Sequence, residues 1–303
     1  MKSRATILFA CFLGLAFFAL PNARAQSTLY GTTGGPFPGA LYTIDPSTGA
    51  ATLVGPLVDS SANTYSVTGL AFDSLTGILY GSTGTASPTG ASELVAINTS
   101  SGLVTPIGSF GVTGTMADLT FNSVNNTLYG TNSLSADLYT ISLSTGAAIT
   151  LGPSGVAGVP RGVGVAANDS GTIYGTPNGA SGIGGQLVIY STADGSTTVV
   201  NSLSGATYPV GAINALAVNS SGTLLGVNVD LTNPARPTAL VSIDTTTGVV
   251  TLIGLSIDGL DALAFSPMVA VPEASTWAAA ALAVAYVLFL RFRRKKTTAT
   301  LPS

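Results

Sequence analysis

Apolar and polar residues alternate in short runs through most of this 303-residue chain, and the runs recur in a fixed order. Leu29-Tyr30-Gly31 returns as Leu79-Tyr80-Gly81, Leu128-Tyr129-Gly130, Ile173-Tyr174-Gly175 and Leu224-Leu225-Gly226, at intervals of 50, 49, 45 and 51 residues. A two-residue period marks strands that turn one face to a core. Repeats of this length match propeller blades better than the shorter helical solenoid units.

A second phrase follows each of the first. Leu41-Tyr42-Thr43-Ile44-Asp45 is matched at 94–98, 138–142, 187–191 and 240–244, and each copy reaches a glycine four residues on: Gly49, Gly102, Gly146, Gly195 and Gly248. Asp, Asn or Ser opens such a turn by bonding the backbone ahead, and glycine accepts the positive φ that closes it. A β-rich segment such as Ala51-Thr52-Leu53-Val54 comes next, which makes a hairpin. A third phrase precedes every Leu-Tyr-Gly but the first: Leu70-Ala71-Phe72-Asp73, Leu119-Thr120-Phe121-Asn122, Val165-Ala166-Ala167-Asn168 and Leu216-Ala217-Val218-Asn219. Its large-small-large alternation suits an inner strand, where blades converge.

Four strands per unit follow. The chain enters at a second strand, Leu29, and ends its repeats on an unpaired first strand, Leu263-Ala264-Phe265-Ser266, which can complete the N-terminal blade and leave no open edge. The expected body is therefore all-β, a five-bladed β-propeller closed by pairing its C-terminal strand with its N-terminal blade. No window of the body sustains a capped 3.6-residue period.

The ends read differently. Lys2 and Arg4 precede an apolar run from Ala5 to Leu20, Pro21 breaks it, and Ala23-Arg24-Ala25 supplies the small-x-small pattern that signal peptidase cuts. Residues 1–25 are thus an expected signal peptide and 26–270 the repeat body. At the other end Val271-Pro272-Glu273-Ala274-Ser275-Thr276-Trp277 runs into an apolar stretch to Leu290, followed by Arg291, Arg293, Arg294, Lys295 and Lys296. The stretch 276–290 is short for a bilayer span of about 20 residues, so tilt and snorkelling arginines must help it cross. The basic cluster keeps the tail 291–303 in the cytoplasm and the body outside.

The segment 271–303 resembles the PEP-CTERM sorting signal of Gram-negative bacterial surface proteins, with Ala274 where a second proline is usual. The resemblance implies an exosortase-type membrane protease that recognises Val271, Pro272 and Glu273. It also implies an inner-membrane intermediate, a destination at the cell surface or in the extracellular matrix, and an association with exopolysaccharide or biofilm.

Charge and composition narrow the body's chemistry. Residues 26–270 carry twelve Asp or Glu against Arg161 and Arg236, a net charge of −10, and the chain has no histidine. A surface this acidic excludes nucleic acid, whose phosphates need clustered Lys and Arg. Cys11, the one cysteine, lies in the signal segment, so the mature body has no disulfide or thiol ligand.

Connections between second and third strands, for example from Thr32 to Ala40 or Val227 to Ala239, are longer and more varied than the turns on the opposite side. Variable loops on a rigid ring are where binding is usually built. Tyr65, Phe110, Arg161, Tyr208 and Arg236 fall on that side and form the candidate ligand face. There the aromatics would stack on a sugar and the arginines would meet a uronate or sulfate. The plainer alternative is that these aromatics pin their own loops.

No catalytic residue is assigned and the chain is read as a non-enzyme. Without His or a mature Cys the usual nucleophile and base arrangements are missing, and a carboxylate-dependent carbohydrate-active enzyme is the runner-up, beside a protein-docking ring. Asp45, Asp73 and Asp244 occupy repeated turn positions, while Glu93, Asp118 and Asp137 depart from the repeat with nothing in the sequence to pair them. Asp258-Gly259-Leu260-Asp261 and Asn168-Asp169-Ser170-Gly171 offer oxygen ligands of the kind calcium takes, but not the spacing of a calcium loop. No cofactor or metal is assigned on them.

Overall fold

The computed structural model describes residues 27–34, 39–87, 91–156, 163–177, 185–205, 209–229 and 238–268. The expected signal peptide and sorting segment lie outside the described residues, as do Arg161, Tyr208 and Arg236.

The alternation of the sequence becomes 21 strands among the described residues. Strands β1 (Leu29–Thr33), β2 (Ala40–Ile44) and β3 (Ala51–Pro56) open the first sheet. The second holds β4 (Val67–Phe72), β5 (Leu79–Thr83), β6 (Glu93–Ile97) and β7 (Val104–Ser109). The third holds β8 (Met116–Asn122), β9 (Thr127–Asn132), β10 (Leu138–Ile141) and β11 (Ala148–Thr150). The fourth holds β12 (Val163–Ala167), β13 (Ile173–Pro177), β14 (Gln186–Tyr190) and β15 (Thr197–Ser202). A short β16 (Ser204–Gly205) then joins the edge of the fifth sheet, built from β17 (Ala212–Val218), β18 (Leu224–Val229), β19 (Ala239–Ile243) and β20 (Val249–Leu255). Last, β21 (Leu260–Phe265) returns to the first sheet, whose order is β21-β1-β2-β3.

These five sheets are the blades of a propeller, and the expected closure is present. Leu29 pairs with Phe265 and Gly31 with Leu263, antiparallel, so the last strand is the inner strand of the first blade. Unfastening the ring would require breaking that ladder and the apolar cluster of Leu29, Leu260 and Leu263 beneath it. Full burial of each such leucine contributes roughly 1.5–3 kcal/mol.

The repeated phrases explain the local structure. Gly49, Gly102, Gly146, Gly195 and Gly248 all adopt φ between 71° and 78°, and each donates its N–H to the carbonyl of the Asp, Asn or Ser that opens its turn. Asp45 Oδ1 accepts from the Ser47 N–H and hydroxyl, and Asn98 does the same for Ser100. The glycine of Leu-Tyr-Gly has another cause. A Cβ at Gly81 would stand 2.9 Å from Ile97 and 3.0 Å from Val67, inside the apolar filling between blades.

The hydroxyl that follows this glycine latches the next blade. Thr32 Oγ1 donates to the Val67 carbonyl at 3.0 Å, Ser82 Oγ to Met116 at 3.2 Å, and Thr176 Oγ1 to Ile213 at 3.1 Å. Each bond joins a second strand to the start of the neighbouring inner strand, and the bonded groups are buried. A buried bond of this kind is worth about 1 kcal/mol, and more if one partner is lost.

Candidate functional site

The inner strands β4, β8, β12, β17 and β21 each pair on one side only, so alternate N–H and C=O groups along them face the ring axis. On the axis those groups meet a side chain. Asp118, fully buried at 0% exposure, accepts the Leu119 N–H on Oδ1 at 2.9 Å and the Val165 and Leu216 N–H groups on Oδ2 at 2.9 and 3.1 Å. One carboxyl thereby ties together the inner strands of three blades.

The other blades make room for it. The residue before the leading Leu or Val of the inner phrase is Gly69, Asp118, Gly164, Ala215 and Ala262 in turn. A Cβ on Gly69 would come within 2.6 Å of the Asp118 Cα, and one on Gly164 within 3.0 Å of the Ala215 carbonyl carbon. Five aspartates could not share this point. Burial pushes the Asp118 carboxyl well above the usual carboxylate range against the pull of its three N–H bonds, and nearby Asp261 adds to the rise.

Asp261 and Asn214 sit one residue earlier on their strands, each the extra residue of a β-bulge. Asn214 Nδ2 donates to Asp261 Oδ1 at 3.1 Å. Burial raises the Asp261 carboxyl to about 6, with the Asn214 bond acting the other way, although part of its surface stays open. On the far side of Asp118, toward the short turns, the axis widens into a cavity of about 90 Å³. All five inner strands line it through their C-terminal halves, including Phe72, Phe121, Phe265, Thr120 and Val218.

The predicted ligand face needs correction. Tyr65 and Phe110 are both 1% exposed and cannot stack on a sugar. Tyr65 lies in the core beside Leu57 and Val67 with its hydroxyl donating to Asp59, and Phe110 packs against Tyr80, Leu94 and Met116. The chain crosses between blades through these segments, so their aromatics fill the junction and pin their own loops. Arg161, Tyr208 and Arg236, and with them the sorting residues Val271, Pro272 and Glu273, lie outside the described residues.

Of the acids left over by the repeat, Asp137 accepts the Ser154 N–H and Asp118 holds the axis. In the stretch Asn168 to Gly171, Asn168 Oδ1 is engaged by Ser170 and Thr172 as a turn cap. Asp258 is exposed, whereas Asp261 faces Asn214, so the two ends of that stretch are put to different uses. Among the described residues no group of three or more His, Cys, Asp or Glu is placed to hold a metal ion. Sequence marks Asp118 as a departure from the repeat and Asp261 as an oxygen ligand, but assigns neither to the axis. The signal was present in the register, because Asp118 stands where the aligned phrases carry only Gly or Ala.

Comparison with known proteins places the fold and nothing narrower. No family model matches the chain, and no curated protein matches it. Among solved structures, a chain of a nidogen/laminin complex superposes with a TM-score of 0.50 at 14% identity, covering 79% of this chain and 98% of that one. A Bacteroides caccae protein of unknown function gives 0.49 at 12% identity, covering 80% and 99%. The Myxococcus xanthus glutaminyl cyclase gives 0.41 at 18% identity, covering 63% and 70%.

Proposed function

We propose that this chain is an exported, non-enzymatic binding propeller. It is cut after Ala25 by signal peptidase, held in the inner membrane through 276–290, and sorted to the cell surface or matrix by an exosortase-type protease acting at Val271 to Glu273. There its body associates with exopolysaccharide of the biofilm. The observation that carries the non-enzymatic reading is the engaged state of five of the carboxylates. Asp118 has both oxygens bonded to backbone and no exposure, and Asp45, Asp59, Asp194 and Asp244 are held low in pKa by turn hydrogen bonds. A glycosidase instead needs two free carboxyl groups facing one cleft.

Co-sedimentation of the mature chain with the host's own polysaccharide tests this reading. Saturable retention without release of shorter sugars is expected, and sugar release abolished by changing one Asp or Glu would replace it with the enzyme. In the same strain, Pro272→Ala with Glu273→Ala should leave the anchored precursor uncut. Protein docking is the second reading, favoured by the neighbour solved within a nidogen/laminin complex. Retention by envelope protein in place of polysaccharide would select it.

A further inference from the structure

The chain leaves the propeller at the place of a short turn. In the second blade the Asp73 N–H bonds to the Ile78 carbonyl across the turn between first and second strands, and in the first blade the Ser266 N–H makes the same bond to the Thr28 carbonyl. Eight residues, 268–275, then separate Pro267 from the apolar stretch that begins at Thr276. Fully extended they span at most about 27 Å. The variable loops lie a further strand length away, about 17–20 Å, with the rim of the ring still to be rounded. With 276–290 in a bilayer, the short-turn face is therefore the one held against it.

That face is divided. Two residues after the Asp or Asn that opens the turn between first and second strands stand Leu75 in the second blade and Val124 in the third, against Ser170 and Ser221 in the fourth and fifth. All four N–H groups bond to the Oδ1 of that opening residue. The two serine hydroxyls bond to it as well, at 2.9 and 2.8 Å. Turn chemistry thus favours serine. Leu75 and Val124 forgo that bond and stand 70% and 63% exposed, and Ile78, at the end of the same turn as Leu75, is 40% exposed.

Charge follows the same division. Asp45, Asp169, Asp194 and Asp244 are exposed on short turns of the first, fourth and fifth blades. In the second and third blades the turns 98–102, 123–127 and 142–146 carry no charge, while Asp73 is buried and bonded to the Leu75 N–H and the Thr76 hydroxyl. The first blade, where the chain departs, packs on the second, with the Tyr30 and Phe72 rings 5.5 Å apart.

An apolar, uncharged sector beside the point of departure matches a lipid interface. Leucine, isoleucine and valine enter the boundary between headgroups and acyl chains, whereas exposed carboxylates are repelled by anionic lipid. Three side chains alone bind weakly, but a short tether holds them at an effective concentration on the order of millimolar. We propose that in the anchored chain the second and third blades rest on the outer surface of the inner membrane through Leu75, Ile78 and Val124, so that the variable loops face away from the bilayer. This rests on the inner-membrane reading above and adds the face that meets the lipid.

For the test, the full chain with Cys11→Ser is exported from a bacterium lacking an exosortase and reconstituted in vesicles of phosphatidylethanolamine and phosphatidylglycerol, with and without bromine on the acyl chains near the headgroup. Leu75→Cys, Val124→Cys, Ser221→Cys and, on the variable side, Ser60→Cys each carry an environment-sensitive fluorophore. Trp277, the one tryptophan, reports the anchor through its own emission. Labels at positions 75 and 124 should be blue-shifted and quenched by brominated lipid about twice as strongly as those at 221 and 60. Leu75→Ser with Val124→Ser should bring the quenching of a label at Ile78→Cys down to the level at 221. Equal quenching at 75 and 221, or the strongest at 60, would overturn the proposal. A blue-shifted label that brominated lipid leaves unquenched would mark a protein contact, such as a second copy of the chain, and would overturn it too. Quenched Trp277 beside four unquenched labels overturns this face alone. Unquenched Trp277 overturns the inner-membrane reading with it.

Discussion

The rim and the axis of this propeller are built on opposite plans. At the rim the same contact is written again at each junction. A Cβ on Gly55 would stand 2.2 Å from the Ser101 carbonyl oxygen, one on Gly108 2.3 Å from Thr145, one on Gly152 2.4 Å from Asp194, and one on Gly254 1.9 Å from Thr48. At the remaining junction the turn glycine makes the approach, and a Cβ on Gly248 would stand 2.7 Å from the Ser202 oxygen. Each outer strand thus lies directly against the hairpin turn of the next blade. At the axis repetition fails, because five equal side chains cannot occupy one point, and a single aspartate does the joining. A repeated fold is held by identity where there is room for all copies and by a lone departure where there is room for one.

The sharpest way to break the rim is at the junction that closes the ring. Gly254→Ala places a methyl against backbone, at 1.9 Å from the Thr48 oxygen and 2.8 Å from its carbon, so no side-chain rotation can relieve it. Strand β20 must move away from the first blade, and the ladder of β21 on β1 follows it. The expected loss is about 3 kcal/mol, read from urea unfolding of the full chain, at the upper end for overpacking. An unchanged midpoint would mean that the rim contact is incidental to closure.

At the axis the effect is smaller, because water can enter from the adjoining cavity. Asp118→Ala leaves three buried N–H groups without their acceptor, and about 2 kcal/mol should be lost in the same assay. Asp118→Asn retains oxygen for part of the set and should fall between. Equal stability of the Asn and Ala variants would show that neither the side chain's shape nor one remaining acceptor oxygen supports the axis without the second oxygen.

The two plans also differ in how far sequence exposes them. Turns such as Asp45 to Gly49 are legible because residue types with local causes recur at fixed spacing, and the closing strand is legible because one phrase is left over at the end. Asp118 could be seen to leave the repeat, but its role depends on N–H groups 47 and 98 residues away. Tyr65 and Phe110 misled for the related reason that a segment between strands need not lie on the surface when it is also the seam between blades. Local chemistry is written in the phrase; convergence on an axis is written only in the closed ring.

The smallest effect separates axis from rim by their response to pH. The turn aspartates Asp45, Asp59, Asp194 and Asp244 have lowered pKa values, so the stability they contribute is present above the unfolded carboxylate pKa near 4 and is lost as pH falls below it. Asp261 has the opposite sign. Its carboxyl, raised to about 6, binds a proton more readily in the folded chain than in the unfolded one, so its contribution declines as pH climbs from about 4 through 6. Stability should therefore peak in mildly acidic solution, with the turns setting the acid limb and the axis the neutral one. Asp261→Asn removes the Asp261 share of the axial limb, leaves that of the buried Asp118, and keeps a polar partner for Asn214. From pH 4 to 7 the variant should lose less stability than the unaltered chain, by on the order of 1 kcal/mol, the figure being held down by water in the channel. Parallel curves for the two chains would place the neutral-side loss on another group and detach Asp261 from the pH response of the axis.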